Sequence, residues 1–197
     1  MKTSNLVSIG LRAKTGRAIA VVLGGPPDSP VVLLKMEIKL VDPKVSATRQ
    51  PYHVVMELPL NQWPQAASKS AKAIERVATK ALAKLIDQLK TAGHQPVAVG
   101  VVGAPDRDLA RIGNPHIRAH AAEGVLFRHV LELGAKANGV KCRAFSDRDF
   151  DKAATAGVSK DYAKIKQRLE NLRHSVSPPW RTDEKQAAMA AWMVLHG

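Results

Sequence analysis

Residues 97–102 restrict the fold of this chain more than any other segment, because all six are apolar or glycine, in the order Val-Ala-Val-Gly-Val-Val. A strand that is apolar on both sides must be covered on both sides, which is typical of a central strand in a sheet with parallel neighbours. Helical patterns lie before and after this run. We therefore predict an α/β fold in which helices cover both faces of one sheet.

The segments before this run change from a strand pattern to a helix pattern. The predicted strands are 6–11, 17–23, 31–41 and, as a short strand or an extended lead into a helix, 52–58. From 65 to 90, apolar residues recur at steps of three and four, which indicates one long helix. Gly93 and Pro96 end it before the central strand begins.

The segments after the run continue the alternation and then become helical. The predicted elements are a helix at 120–138, a strand at 140–145, and helices at 147–156, 162–173 and 182–195. The order is three strands, a helix, a strand, a helix, a strand and then helices. One mixed sheet accounts for all of it, so we expect a single domain over residues 1–197.

Several segments of the second half carry a family resemblance. They are Ala-Glu-Gly-Val-Leu at 122–126, Lys-Cys-Arg-Ala-Phe at 141–145, Phe-Asp-Lys-Ala-Ala-Thr-Ala-Gly at 150–157, Lys160 with Ile165 and Leu169, and Thr-Asp-Glu-Lys-Gln-Ala-Ala-Met-Ala-Ala at 182–191. Together with the element order, they resemble the RuvC branch of the ribonuclease-H-like proteins, the Holliday-junction resolvases. The resemblance covers about residues 96–195 and implies a mixed five-stranded sheet flanked by helices, and a homodimer.

The same resemblance implies carboxylates that converge on two divalent metal ions, Mg²⁺ or Mn²⁺. The first strand should supply an acid, but residues 9–12 are Ile-Gly-Leu-Arg. Asp106 follows the central strand, and Asp183 opens the final helix, where Gln186 replaces the second acid of a pair. Arg12 would oppose a metal ion electrostatically. The resemblance thus predicts a degenerate site in which Asp183 and Asp106 are the candidate catalytic residues.

Asp183 also has a structural explanation that needs no catalysis. With Glu184 it opens the last helix, where negative charge is favourable. Thr182 can cap the same helix through its hydroxyl group.

A second cluster of polar residues has metal-ligand spacing. His116, His120 and Glu123 fall at i, i+4 and i+7, and two histidines one helical turn apart can chelate zinc or another transition metal. Against this, Pro115 places His116 at the entry of the predicted helix. Glu123 could instead pair with Arg118 or Arg128.

The charge of the chain favours an anionic partner. Thirty Lys and Arg residues against seventeen Asp and Glu residues give a formal charge of +13, which attracts polyanions. The candidate nucleic-acid-binding residues are Lys69, Lys72, Arg76 and Lys80, with Lys84, on the long helix, and Arg107, Arg111 and Arg118 in the loop after the central strand. Ligands of α/β sheets bind near the carboxyl ends of strands, which favours the loop arginines. The helix residues could equally form an ordinary solvated face.

Composition excludes several other classes of protein. The single cysteine, Cys142, rules out an internal disulfide framework and lies in a predicted strand, where we expect it to be core. The first residues lack the apolar run of a signal peptide, and no stretch has the roughly 18 apolar residues of a membrane helix. We therefore expect a cytoplasmic protein with no membrane partner. Aromatic residues make up only 4%, which argues against a base-stacking platform.

Three functions remain open from the sequence. The first is a protein that binds nucleic acid (structured or duplex DNA, or RNA) and lacks canonical nuclease activity. The second is a metal-dependent, resolvase-like nuclease with a rearranged acidic site, built from Asp106, Asp183 and either Glu57 or Glu123. The third is a scaffold domain whose basic face meets an acidic protein. Only the second needs a cofactor, Mg²⁺ or Mn²⁺.

Overall fold

The computed structural model describes residues 5–158 and 161–197. The strands are β1 (Leu6–Lys14), β2 (Arg17–Gly24), β3 (Val31–Lys39), β4 (Gln95–Gly103) and β5 (Lys141–Ser146). The helices are α1 (Trp63–Ala66), α2 (Ser68–Thr91), α3 (Pro115–Ala137), α4 (Phe150–Val158), α5 (Tyr162–Asn171) and α6 (Thr182–His196). Residues 1–4, used for the signal-peptide expectation, and Lys160 of the family resemblance lie outside the described residues.

The five strands form one mixed sheet in the order β3-β2-β1-β4-β5. β2 is antiparallel to β1 and to β3, whereas β4 is parallel to β1 and to β5. The predicted mixed five-stranded sheet is thus confirmed, with the apolar run of residues 97–102 inside β4. The ends of β1, β4 and β5 meet at one side of the sheet, which we call the carboxyl edge.

Alternating side chains of β1 build a separate core on each face of the sheet. Ile9 and Leu11 point toward α2 and α3, where they share a buried cluster with residues such as Leu82 and Phe127. Gly10 points toward α6 on the other face, and a Cβ atom there would lie 1.7 Å from the Ala187 carbonyl oxygen. Only glycine allows α6 to approach the sheet this closely.

α6 is therefore a helix of small residues lying directly on the central strands. Ser8 donates a hydrogen bond of 2.7 Å to the Ala191 carbonyl oxygen, which fixes the middle of the helix on β1. α4 and α5 cover the outer side of α6 and complete the second core. No helix in the described ranges is both long and apolar enough to cross a membrane.

Some local predictions were wrong. Residues 52–58 form turns rather than a strand, and Val55 packs into a third cluster around Trp63. α3 begins at Pro115 rather than at residue 120, since the Asn114 side chain accepts a hydrogen bond from the Ile117 amide. The fourth helix begins at residue 150 rather than 147.

Two single-residue predictions were also wrong. Thr182 does not cap α6; instead Glu184 accepts a hydrogen bond of 2.7 Å from the Arg181 amide, in a capping-box arrangement. Cys142 is exposed and not part of the core, because β5 is an edge strand with few neighbours on its outer side.

Candidate functional site at the carboxyl edge of the sheet

Arg12 occupies the centre of the carboxyl edge. It lies on the same side of β1 as Gly10, so its side chain extends toward the first turn of α6. One terminal nitrogen is 3.0 Å from Oδ2 of Asp147, which directly follows β5, and Nε is 3.5 Å from Oδ1 of Asp183. The other terminal nitrogen donates to the Val102 carbonyl oxygen at the end of β4, at 3.4 Å. One guanidinium group thus joins three parallel strands to α6.

A second cation reinforces this arrangement. The Lys14 ammonium group is 3.4 Å from the same Asp183 oxygen, so two fixed cations balance the two carboxylates. Only 12% of the Arg12 side chain is exposed, against about a third for each carboxylate. The guanidinium group therefore lies in the space between the acids. A divalent metal ion would be repelled from this position, so these residues do not fit a two-metal centre.

The other predicted acids do not join this site. Asp106 is 79% exposed on its side chain and pairs with Arg128 at 2.6 Å, whereas Asp183 belongs to the Arg12 cluster. Glu57 is exposed in the turn segment before α1. Glu123 is fully buried on α3 and pairs with neither Arg118 nor Arg128. The structure therefore does not gather the acids of the proposed rearranged nuclease site.

Metal-ligand geometry occurs elsewhere in the described part of the chain. The only group there of three or more histidine, cysteine or acidic side chains close enough to share an ion is His53, His116 and His120. It contains none of the predicted catalytic acids. Gln186, which stands where the second acid of the family pair would be, has a buried side-chain oxygen without a hydrogen-bond partner among the described residues.

Asp147 is a site residue that the sequence did not reveal. The sequence pattern places it at the start of a helix over 147–156, but it lies in the connection between β5 and α4. Its amide donates to the Gly103 carbonyl oxygen at 2.8 Å, which holds it beside the end of β4. An acid placed directly after a parallel strand was the available signal, since the ends of such strands meet at one edge.

The predicted basic residues lie on two surfaces near this edge. The first, the α2 cation row, consists of Lys69, Lys72, Arg76, Lys80 and Lys84, which are all exposed. The second is the loop after β4. There Arg107 is exposed without a partner among the described residues, and Arg111 is exposed but pairs with Asp108 at 3.2 Å. Arg118 is half-buried, because its Nε donates to the Ile112 carbonyl oxygen at 2.9 Å and so fixes the loop itself.

Solved structures of two resolvases resemble this chain over most of its length. Thermus thermophilus RuvC matches with a TM-score of 0.52 at 14% identity, covering 95% of this chain and 91% of that chain. T. thermophilus RuvC in complex with a Holliday junction substrate matches with a TM-score of 0.51 at 12% identity, with the same coverage. The yeast mitochondrial Holliday junction resolvase Ydc2 matches with a TM-score of 0.44 at 10% identity, covering 97% of this chain and 78% of that chain.

Similarity to known proteins is found in the structure and not in the sequence. No protein-family model matches the chain, and no curated protein sequence matches it. The shared feature is therefore the arrangement of the elements, a mixed five-stranded sheet with flanking helices. The chain has the RuvC-like form of the ribonuclease-H-like fold.

Proposed function

We propose that this chain binds the phosphate backbone of structured or duplex DNA, or of RNA, and does not cleave it by the two-metal mechanism of the resolvases it resembles. The α2 cation row is the observation that carries the binding. Its residues follow each other at steps of three and four along one side of α2, so they span about 22 Å at 1.5 Å per residue. That length matches several successive phosphates of a duplex.

The cations of this row are available to an external anion. None of the five takes part in an ion pair or hydrogen bond with a described residue, and Glu75 is the only acid in sequence between the first and the last of them. α2 begins at the carboxyl edge, where Arg107 and Arg111 lie in the loop after β4. The fold supports a nucleic-acid partner, since a T. thermophilus RuvC structure of this fold is in complex with a Holliday junction substrate.

The ion pairs of Arg12 support the absence of two-metal cleavage. A two-metal site needs several acids with free oxygens facing one space. Here the oxygens of Asp147 and Asp183 face a guanidinium group, and Lys14 neutralises one of them further. Binding by the exposed cations therefore needs no metal ion between these two acids.

The test is a binding titration with labelled four-way junction, duplex and RNA–DNA hybrid, followed by fluorescence anisotropy across a salt series. In the triple variant Lys72→Gln, Arg76→Gln and Lys80→Gln, we expect weaker binding and a shallower dependence of log K on log salt. Removing one cation that binds a phosphate reduces the slope by about 0.9 on duplex DNA. The matched control replaces Lys90, Lys136 and Lys141, three exposed cations at the opposite edge, and lowers the net charge equally.

Equal weakening by both triple variants would contradict a defined surface and leave only non-specific attraction to a basic protein. Binding abolished at physiological salt would favour the scaffold function with an acidic protein partner. Adding Mn²⁺ to the same probes tests cleavage. Cut products that disappear in Asp183→Asn would establish the nuclease function and refute the second half of the proposal.

The homodimer implied by the resemblance belongs to the same proposal. Light scattering coupled to size-exclusion chromatography measures it directly. A measured mass of 21.3 kDa, that of one chain, would mean that the protein binds as a monomer with a single α2 cation row.

A further inference from the structure

Three histidines meet beside the start of α3. His116 and His120 are one turn apart on that helix, and His53 comes from the turn segment before α1. The ring centroids lie 4.7, 4.4 and 4.6 Å apart in the three pairs. One potential ligand atom from each side chain lies within 4.8 Å of the other two. The sequence indicates the pair on α3, and the structure supplies the third ring.

The separations suit a small tetrahedral ion. Nε2 of His116 and Nε2 of His120 are 3.1 Å apart. A zinc ion with bonds to nitrogen of about 2.0–2.1 Å holds its tetrahedral ligands about 3.3–3.4 Å apart. The potential ligand atom of His53 lies within 4.8 Å of the other two, so rotation of the rings would have to bring it closer to the ion. α3 begins at Pro115, so both residues lie within regular helix, which removes the objection that His116 is outside it.

Glu123 orients the third histidine rather than acting as a ligand. Its Oε1 accepts hydrogen bonds from Nδ1 of His53 at 2.8 Å and from the Tyr52 and His53 amides at 3.2 and 3.3 Å. With Nδ1 facing the carboxylate, Nε2 is the ring nitrogen of His53 that remains to bind an ion. Metal-binding histidines characteristically have a carboxylate behind them in this way.

The polar atoms of this cluster are incompletely satisfied without an additional group. Nε2 of His53 is buried and has no hydrogen-bond partner among the described residues, and the same is true of Oε2 of Glu123. The Glu123 side chain is completely inaccessible to solvent, and that of His53 is 11% exposed. A hydrogen bond between the two α3 histidines explains their contact but leaves His53 Nε2 without a partner. Buried polar atoms of this kind call for a ligand.

We propose that His53, His116 and His120 form a zinc site, with Glu123 as the positioning residue of His53. Three neutral imidazoles favour zinc over magnesium or calcium, which prefer oxygen ligands. The charge of the ion offsets that of the buried Glu123 carboxylate. The site is separate from the Arg12 cluster and does not depend on the proposed binding of nucleic acid.

The fourth coordination position of this site opens to solvent. His116 and His120 are exposed, so the side of the ion opposite His53 is accessible. Sites with three protein ligands and an open position bind water or an anionic oxygen there. The ion would also link the turn segment containing His53 to α3, so that zinc raises the stability of the folded chain by an amount that grows with the logarithm of its affinity.

The experiment is a zinc titration of the full chain without a histidine tag, in competition with a chromophoric chelator, together with metal analysis after gel filtration. We expect one zinc ion per chain and a thermal midpoint that rises on zinc addition. His120→Ala should weaken binding more than about 100-fold. Glu123→Gln should weaken it about 10–100-fold, as loss of the carboxylate behind a ligand does.

His129→Ala is the matched control, because His129 is an exposed histidine on the same helix outside the cluster. It should bind zinc as the unmodified chain does. Because His120 is exposed, its substitution leaves the core intact, and circular dichroism of the variant verifies folding. The proposal would be overturned if the unmodified chain bound no stoichiometric zinc, or if His120→Ala bound zinc with equal affinity. The three histidines would then be only a set of packed rings.

Discussion

Removing the Arg12 guanidinium group should destabilise the chain and make its carboxyl edge responsive to Mg²⁺. Arg12→Met keeps most of the aliphatic length but leaves Asp147 and Asp183 facing each other without their shared cation. Breaking a fully buried pair costs about 3–5 kcal/mol, and breaking an exposed one about 0.2–1 kcal/mol. Arg12 is 12% exposed and the acids about 30%, so we expect a loss of about 2 kcal/mol.

Urea unfolding followed by tryptophan fluorescence measures this loss. For a chain of this size, about 2 kcal/mol corresponds to a fall of about 4–8 °C in the thermal midpoint. Arg17→Met is the matched control, because Arg17 on the adjoining strand pairs with Glu37 at 3.6 Å while both side chains are about half exposed. The control should lose less than about 0.5 kcal/mol.

The response to Mg²⁺ tests the reasoning more sharply than the stability loss. In the unmodified chain, millimolar Mg²⁺ should leave the thermal midpoint unchanged, because the guanidinium group occupies the space between the acids. In Arg12→Met, Asp147 loses its cation and Asp183 keeps only the partly exposed Lys14, so Mg²⁺ can bind between the acids and should restore part of the loss. Stabilisation of the unmodified chain by Mg²⁺, or no loss in Arg12→Met, would refute the role assigned to Arg12 at this edge.

Two further predictions concern packing and thiol reactivity. Gly10→Ala should lower the free energy of unfolding by about 3 kcal/mol or more, or prevent folding, because the new methyl group would overlap the Ala187 carbonyl. Gly113 has open space around it, so Gly113→Ala should leave the free energy of unfolding nearly unchanged in the same assay. Partial burial of its sulfur, and then the Glu132 carboxylate, raise the pKa of Cys142 to about 12, although the residue is exposed. Labelling by a disulfide reagent at pH 8 should therefore be about 10–100-fold slower than for glutathione, and should speed up toward pH 12; an equal rate would contradict the raised pKa.

The fold could be predicted from the sequence because its signals are local. The apolar run of residues 97–102 and the change of period at residue 65 each depend on neighbours within a few positions. The strand prediction for residues 52–58 was wrong for the opposite reason. Their alternating residues resemble a strand, but Val55 and Trp63 pack against α3 residues such as Ala119, and only the assembled fold shows that contact.

The sites could be predicted only in part, because their members are far apart in sequence. Arg12 was identified as an obstacle to metal binding, but its partner Asp147 is 135 positions away. The sequence suggests Glu123 as a metal ligand beside the α3 histidines, as a partner of arginines on its own helix, or as a member of an acidic nuclease site, whereas its actual partner, His53, is 70 positions away. Spacing within one helix predicts which side chains share a face; it does not predict what another segment brings to that face.

The same side of β1 sets the position of α6 at three successive levels. Ser8 bonds the Ala191 carbonyl, Gly10 admits the backbone at Ala187, and Arg12 pairs with Asp183 at the first turn. An acid at residue 12 would need a metal ion to hold Asp183 there, since like charges would push the helix away. A guanidinium group holds α6 in place with no ion, and with it the shape of the carboxyl edge. If nucleic acid binds at that edge as proposed, binding needs no divalent ion between Asp147 and Asp183, and omitting Mg²⁺ should leave it unchanged.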